Sequence, residues 1–185
     1  MVEAHGRDGE VHQDLPGVAR PPGRPSGRGP EVRVPPPLIY IGAVALALAV
    51  DRLLPLRLFP GPLSDWVGGA LVLSGLILDV LGMRELLRAK TTMRPDRPTS
   101  ALVTSGPYRF SRNPLYLSLA LILAGTGIWI DNLWMLALVV PTNAIISRLA
   151  IAPEERHLSD SFGPLYREYQ DAVPRWLRLR PRGSR

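Results

Sequence analysis

SALVTSGPYRFSRNPLY, residues 100–116, lies between two long apolar blocks and is unlike either of them. Gly106-Pro107 indicates a turn, because glycine permits positive φ and proline fixes its own φ and lacks an N–H. Asn113-Pro114 indicates a second turn, since proline disfavours helix at the preceding residue and can open one itself. Irregular backbone beside a membrane segment needs partners for its amides, and a bound polar ligand can supply them. The stretch is therefore either a ligand-binding loop or an ordinary basic connection between two helices.

The apolar residues come in long blocks, which is typical of a membrane protein. An apolar run of about 20 residues can cross a bilayer as a helix. The predicted spans are Pro37–Leu58, Asp65–Leu87, Leu115–Ile130 and Leu133–Ile151. Asp79 lies inside the second span, where a carboxylate is costly and should face protein, water or a cation; a structural and a functional role both stay open. We expect an all-α integral membrane protein with about four transmembrane helices.

The net charge and the amino-acid composition exclude some kinds of functional site. The chain of 185 residues has a net charge of +6, no cysteine and three histidines. Disulfides and cysteine nucleophiles are therefore excluded, and a metal site built from histidines is not expected. The arginines lie beside apolar blocks, which favours a lipid bilayer over nucleic acid as the partner.

Composition divides the chain into three parts. Residues 1–34 are rich in Pro, Gly and Arg, and we expect disorder because they cannot bury enough apolar surface to offset their ordering entropy. Residues 35–178 are expected to form the membrane domain, and residues 179–185 a basic tail. Arginines are dense in the connection between the second and third spans and in the C-terminal segment, but absent from the turn Asp131-Asn132. The positive-inside bias then predicts a multi-pass protein of the cell membrane with both termini in the cytoplasm.

The segment Pro153–Val173 reads PEERHLSDSFGPLYREYQDAV and predicts two short amphipathic helices. Its first residue suits the first turn of a helix, and Glu154 and Glu155 suit the positive end of the helix dipole. Gly163-Pro164 separates the two helices. We expect these helices and residues 100–116 to form a cofactor pocket on the cytoplasmic side of the membrane.

Two segments of the chain resemble the isoprenylcysteine carboxyl methyltransferase family and its phospholipid methyltransferase-like relatives. The first reads LVTSGPYRFSRNPLY, and the second, one apolar hairpin later, reads EERHLSDSFGPLYREYQDAVP. The family pattern is LVTxGxY, RHPxY, EExxL, FGxxYxxY and VP, in this order. The resemblance covers Thr91–Arg175, and the earlier spans match only in hydropathy. It implies a small membrane methyltransferase that uses S-adenosyl-L-methionine.

The resemblance also implies a cofactor site shared by the two segments. The residues that it assigns to the cofactor are Ser100, Ala101, Leu102, Val103, Tyr108, Asn113, Pro114, Leu115 and Tyr116, with Glu154 or Glu155 holding the ammonium group. Asn113 stands where better-known members have histidine. The family's substrate-contacting arginine falls at Ala150 here, so Arg148 is the nearest candidate.

The chemistry of methyl transfer gives these residues expected roles. Arg109 or Arg112 can bind the cofactor's carboxylate as a bidentate fork, and Glu154 can pair with the ammonium. We expect the catalytic residues to be Arg112, Glu155 and Arg148. No soluble-type Gly-rich turn after a strand is present, so the cofactor must bind a helical scaffold.

The acceptor is expected to be a lipophilic small molecule, and its class stays open. A carboxylate of a prenylcysteine-like or other lipidic substrate needs no base, whereas an amine would need Glu155, Asp79 or His157 to remove its proton. The scarcity of His and Cys slightly favours the carboxylate, with phospholipid or amine N-methylation as the alternative. Two other classes compete: an NADPH-dependent, sterol-reductase-like enzyme, and a four-span transporter that uses Asp79.

Overall fold

A computed structural model describes residues 16–20, 34–57, 61–90 and 101–177. Six α-helices and two very short strands make up most of this part of the chain. The helices are α1 (Pro36–Leu53), α2 (Pro62–Arg88), α3 (Pro114–Trp129), α4 (Leu133–Ile146), α5 (Ala152–Phe162) and α6 (Pro164–Ala172). The strands are β1 (Val18–Ala19) and β2 (Leu102–Val103). The expected all-α membrane architecture is confirmed.

The apolar helices give the count of membrane spans. Within the described ranges, Pro36–Leu53, Pro62–Arg88 and Leu133–Phe162 are long and apolar enough to cross a bilayer. Helix α3 has 16 residues, and at 1.5 Å per residue it is about 24 Å long, shorter than a hydrocarbon core of about 30 Å. It packs between α2 and α4. The protein is therefore multi-pass, with three full-length spans and a shorter fourth apolar helix.

Helices α4 and α5 form one continuous helical segment. A π-helical turn, Ser147–Ile151, joins them. Pro153 lies two residues after this turn, and because it lacks an N–H it cannot make the ordinary helical hydrogen bond to the preceding turn. The predicted start at Pro153 is thus one residue from the start of α5, but α5 continues the last span instead of beginning a separate surface helix.

Helices α2 and α3 approach each other closely through glycine. A Cβ on Gly68 would lie 2.6 Å from the backbone N of Trp129, and one on Gly125 would lie 2.8 Å from the backbone O of Gly68. Small residues at these positions let two backbones pack directly, which drives helix association where lipid supplies no hydrophobic force. This contact joins the start of α2 to the end of α3; at the other end of the pair, beside the 101–113 connection, a Cβ on Gly82 would lie 3.0 Å from Leu115 Cδ2.

We expect Gly125→Ala to destabilise the protein by about 1–3 kcal/mol, since the added methyl group must push two helix backbones apart. Gly69→Ala is the matched control, because a Cβ there meets no atom within 4 Å. Thermal unfolding in detergent measures both variants. Equal midpoints would show that the helix pair accommodates the extra volume.

Asp79 contacts α3 inside this helix pair. Ser118 Oγ donates to its Oδ1 over 3.1 Å. Ser118 is fully buried, and its Oγ also lies 2.7 Å from the carbonyl of Leu115, so the two acceptors share one O–H. In the described part of the chain, Asp79 is therefore bonded by a hydroxyl and not by an arginine.

The two strands pair antiparallel, with Val18 opposite Val103 and Ala19 opposite Leu102. Residues 16–20 belong to the segment expected to be disordered, yet they are ordered here as a turn and a strand. The rest of that segment, and the tail 179–185, lie outside the described residues.

Candidate active site

The glycine and prolines of the 101–113 connection and of the start of α3 determine its backbone conformation. Gly106 has φ +56, and a Cβ there would lie 2.8 Å from Glu85 Cγ, so glycine is required for both reasons. A short 3₁₀ helix, Gly106–Arg109, follows and carries the buried side chain of Tyr108. Pro114 then opens α3 at its first turn. Both predicted turns are confirmed.

The C-terminal segment holds this connection from the other side. Tyr169 Oη donates to the carbonyl of Tyr108 over 2.7 Å. The backbone N of Arg112 donates to the carbonyl of Pro174 over 3.0 Å. Asn113 Nδ2 donates to the carbonyl of Arg175 over 3.0 Å. The two sequence-distant segments thus meet at one end of the helices, as the predicted pocket requires.

Three charged side chains join the two segments. Arg112 Nη1 lies 3.1 Å from Glu155 Oε1, and both side chains are 12% exposed. Arg175 Nε donates to the same oxygen over 3.1 Å, and its Nη2 bonds the other oxygen, so Arg175 grips Glu155 as a fork. This hydrogen bonding raises the pKa of Arg175. Sequence reasoning missed Arg175; its only signal was the valine-proline pair before it.

Glu154 has a different environment from its neighbour. Tyr116 Oη donates to Glu154 Oε1 over 2.6 Å. Among the described residues no Lys, Arg or His forms an ion pair with Glu154, and the second carboxylate, Glu155, is adjacent. A carboxylate that is mostly buried with only a phenol as partner is a strong attractor for a cation.

Tyr108 lies close to several acidic side chains, including Glu154. Burial raises the pKa of its phenol, and the nearby Tyr169, Glu154, Asp79 and Glu85 raise it further. The phenol is therefore neutral at physiological pH and can act as a hydrogen-bond donor. The buried ring and the acids around it form a polar site at the membrane end of the connection.

The polar network continues into α1. Tyr40 Oη donates to Asn143 Oδ1 over 2.8 Å and lies 3.2 Å from the carbonyl of Tyr116. Two helices, α1 and α4, thereby support the backbone that carries the Tyr116 phenol. Sequence reasoning missed both residues, because a tyrosine and an asparagine inside apolar spans do not reveal their partners.

Two further polar atoms lie buried on α5 without hydrogen-bond partners, His157 Nε2 and Ser161 Oγ. They follow Glu154 at spacings of three and seven residues, so all three lie along one face of the helix. A buried polar atom without a partner costs about 1–3 kcal/mol. A polar ligand that bonds these atoms on this face of α5 would offset that cost.

The other residues assigned from sequence divide into two groups. Buried in or beside the site are Ala101, Leu102, Val103, Pro114, Leu115 and Tyr116. Arg109 and Arg148 are exposed and do not join the charged cluster. Ser100 lies outside the described residues. The described ranges hold no group of three or more His, Asp or Glu side chains placed to bind a metal ion.

Comparisons with known proteins agree with this architecture. A phospholipid methyltransferase family model matches residues 63–164. An uncharacterized protein of Haemophilus influenzae is 40% identical over 63 residues, which are 34% of this chain and all of that protein. The cobalt-zinc-cadmium resistance protein CzcN of Cupriavidus metallidurans is 35% identical over 78 residues, 42% of this chain but only 36% of that protein. The family match spans more than half of the chain, from the start of α2 to the start of α6, and includes Tyr108 and Glu154 but not Arg175. The chain belongs to the phospholipid methyltransferase family, within the isoprenylcysteine carboxyl methyltransferase-like group of membrane methyltransferases.

Proposed function

We propose that the protein transfers a methyl group from S-adenosyl-L-methionine to a lipophilic acceptor that reaches the site from the bilayer. The observation that carries the proposal is the Glu154 carboxylate, which is mostly buried and has the Tyr116 phenol in place of a cation as its partner. The family match supports methyl transfer as the reaction class. When bound, the cofactor supplies an electrophilic methyl group on a sulfonium.

The residues present fit this cofactor. Glu154 would hold the ammonium group by charge-assisted hydrogen bonds. The rings of Tyr108 and Tyr116 would face the sulfonium, a cation–π contact worth about 0.5–2 kcal/mol. The unpartnered atoms of His157 and Ser161 lie on the Glu154 face of α5 and can bond hydroxyl or amine groups.

Arg112 and Glu155 are better described as positioning residues than as catalytic ones. Each is the other's ion-pair partner, and Arg175 completes the cluster. Arg112 Nε is buried without a hydrogen-bond partner, so this guanidinium keeps a donor that can bind the cofactor's carboxylate. The cluster also holds the 111–113 backbone against the C-terminal segment, so that Tyr108 and Glu154 keep their places around the cofactor.

The charges around the site favour an amine acceptor over a carboxylate. Three carboxylates, those of Glu154, Asp79 and Glu85, lie near enough to act on Tyr108. They attract a protonated amine and repel an anion, and one of them can accept the proton that the amine loses before attack. The exposed Arg148 would bind an anionic part of the acceptor, such as a phosphate. We therefore favour the amino headgroup of a phospholipid.

The orientation follows from the distribution of arginine. The connection after α2 and the segment after α5 are rich in arginine, and they meet at one end of the helices. Because positive loops stay in the cytoplasm, we place this end, the site and both termini on the cytoplasmic side of the cell membrane.

Labelled methyl transfer tests the proposal. Membranes that contain the protein are incubated with methyl-labelled S-adenosyl-L-methionine, and the lipids are extracted and treated with mild base. We expect label that stays non-volatile after base, as for a methylated amine, even though base cleaves the acyl esters and moves the headgroup into water. Label released by base as volatile methanol would identify a carboxyl methyl ester as the product, and no labelled lipid before base treatment would contradict a lipid acceptor.

A cofactor titration separates the competing enzyme class. The purified protein in detergent should bind S-adenosyl-L-methionine and its demethylated product, because both carry the ammonium group. NADPH has no ammonium for Glu154 and should not compete. Tight binding of NADPH would instead support a reductase.

A further inference from the structure

The N-terminal segment 16–20 packs against the run of residues assigned to the methyl donor. Its strand β1 pairs with β2, and β1 is the strand partner of β2 among the described residues. The family match begins only at residue 63, so this strand is outside the part of the chain that matches the family.

The contact is specific in its hydrogen bonds. The backbone N of Thr104 donates to the carbonyl of Gly17 over 2.7 Å, and Thr104 Oγ1 reaches the same oxygen over 3.1 Å. Gly17 has φ +79, and a Cβ there would lie 2.8 Å from Ser105 Cβ. Glycine is therefore needed at this position for both its conformation and its size.

The side chains of the two strands bridge the two halves of the site. Val18 and Val103 pack in one apolar cluster with Leu86, Tyr108 and Leu115. Ala19 and Leu102 pack in another with Phe162, Tyr166 and Tyr169. This follows from strand geometry, because successive side chains point to opposite faces. The small sheet thus lies between the α2–α3 side and the α5–α6 side.

The pairing also decides which backbone groups are free. In an antiparallel pair, residues whose N–H and C=O bond the partner alternate with residues whose groups point to the other edge. Since Thr104 bonds Gly17, the backbone groups of Val103 point away from β1. Within the described part of the chain, the N–H and C=O of Val103 have no other backbone partner and are available to a ligand, while β1 keeps the strand from turning.

We propose that residues 16–20 are a built-in part of the methyl-donor site: they hold β2 in the extended form in which its free edge binds the donor. This inference rests on the proposed function. Donor affinity then depends on a segment that the family match does not include.

Two deletions of different length test the inference. The intact chain, a chain without residues 2–15 and a chain without residues 2–20 are purified in one detergent and titrated with S-adenosyl-L-methionine. The shorter deletion leaves β1 in place and should bind like the intact chain. The longer deletion should bind about tenfold more weakly or worse, the change that marks the loss of a binding contact.

A point variant keeps the test decisive if the longer deletion does not fold. Gly17→Ala should weaken donor binding in the same direction, while Gly42→Ala, where a Cβ meets nothing within 4 Å, should not. Because Gly17 has a positive φ, Gly17→Ala should also lower the thermal midpoint without donor, so affinity is measured at a temperature at which both variants are folded. A purely structural role would lower the midpoint and leave the donor affinity of the folded protein unchanged.

The outcomes are distinguishable. If the intact chain binds the donor and both the longer deletion and Gly17→Ala bind equally well, the role of β1 is refuted and the proposed function stands. If the intact chain does not bind the donor, the proposed function fails and this inference fails with it.

Discussion

Glu154→Gln is expected to weaken the binding of S-adenosyl-L-methionine by about 10- to 100-fold, since a hydrogen bond to a charged group contributes about 1.5–3 kcal/mol. Gln keeps the volume of the side chain, and its amide oxygen can still accept the hydrogen bond of Tyr116. The variant therefore removes the negative charge and little else. Calorimetric titration in detergent measures the change.

Glu154→Gln should not lower the thermal stability of the protein, although it weakens the binding of S-adenosyl-L-methionine. A mostly buried carboxylate without a cation is costly, so its replacement should leave the thermal midpoint unchanged or raise it. Glu168→Gln is the matched control, because Glu168 is exposed on α6 and the chemical change is the same. Donor affinity equal to that of the control would remove Glu154 from the site.

Glu155→Gln should show the opposite pattern, with a large loss of stability. Removal of its charge leaves Arg112 without an anion in a setting where its side chain is 12% exposed. Breaking such a buried pair costs about 3–5 kcal/mol, because the remaining charge stays desolvated. Arg175 is more exposed, and its share of the loss is smaller for that reason.

The measurement is thermal unfolding without cofactor. For a chain of this size a loss of about 3 kcal/mol lowers the midpoint by roughly 6–12 °C. Asp160→Asn is the control, an exposed acid on the same helix. If Glu155→Gln unfolds like that control but loses methyl transfer, Glu155 acts on the substrate, and the catalytic role expected from sequence is correct.

The pair of variants separates two adjacent carboxylates that sequence reasoning could not separate. The pattern EE fits the family position with either residue. Tertiary contacts distinguish them, because one carboxylate faces Tyr116 and the other faces two arginines. Which of two neighbouring helix residues faces which element depends on the rotation of the helix, and only packing sets that rotation.

Local patterns did predict the helices and their ends. Apolar runs, Gly106-Pro107, Asn113-Pro114 and Gly163-Pro164 act through backbone sterics and solvent preference, which operate within a few residues. They located α1 to α4 to within a few residues and the break between α5 and α6. The continuity of α4 into α5 escaped prediction, because a proline in the first turn of a helix also suits a π-helical turn within a longer one.

By itself the amino-acid sequence determined that this is a helical membrane protein with a basic connection and an acidic C-terminal helix, because hydropathy, proline and glycine act locally. Only the tertiary structure decided that Arg175 closes the cluster on Glu155, that Tyr40 supports the Tyr116 backbone, and that residues 16–20 pair with β2. Those contacts join residues 20, 76 and 85 positions apart. Their partners are chosen by how the helices pack, and no short stretch of sequence encodes that choice.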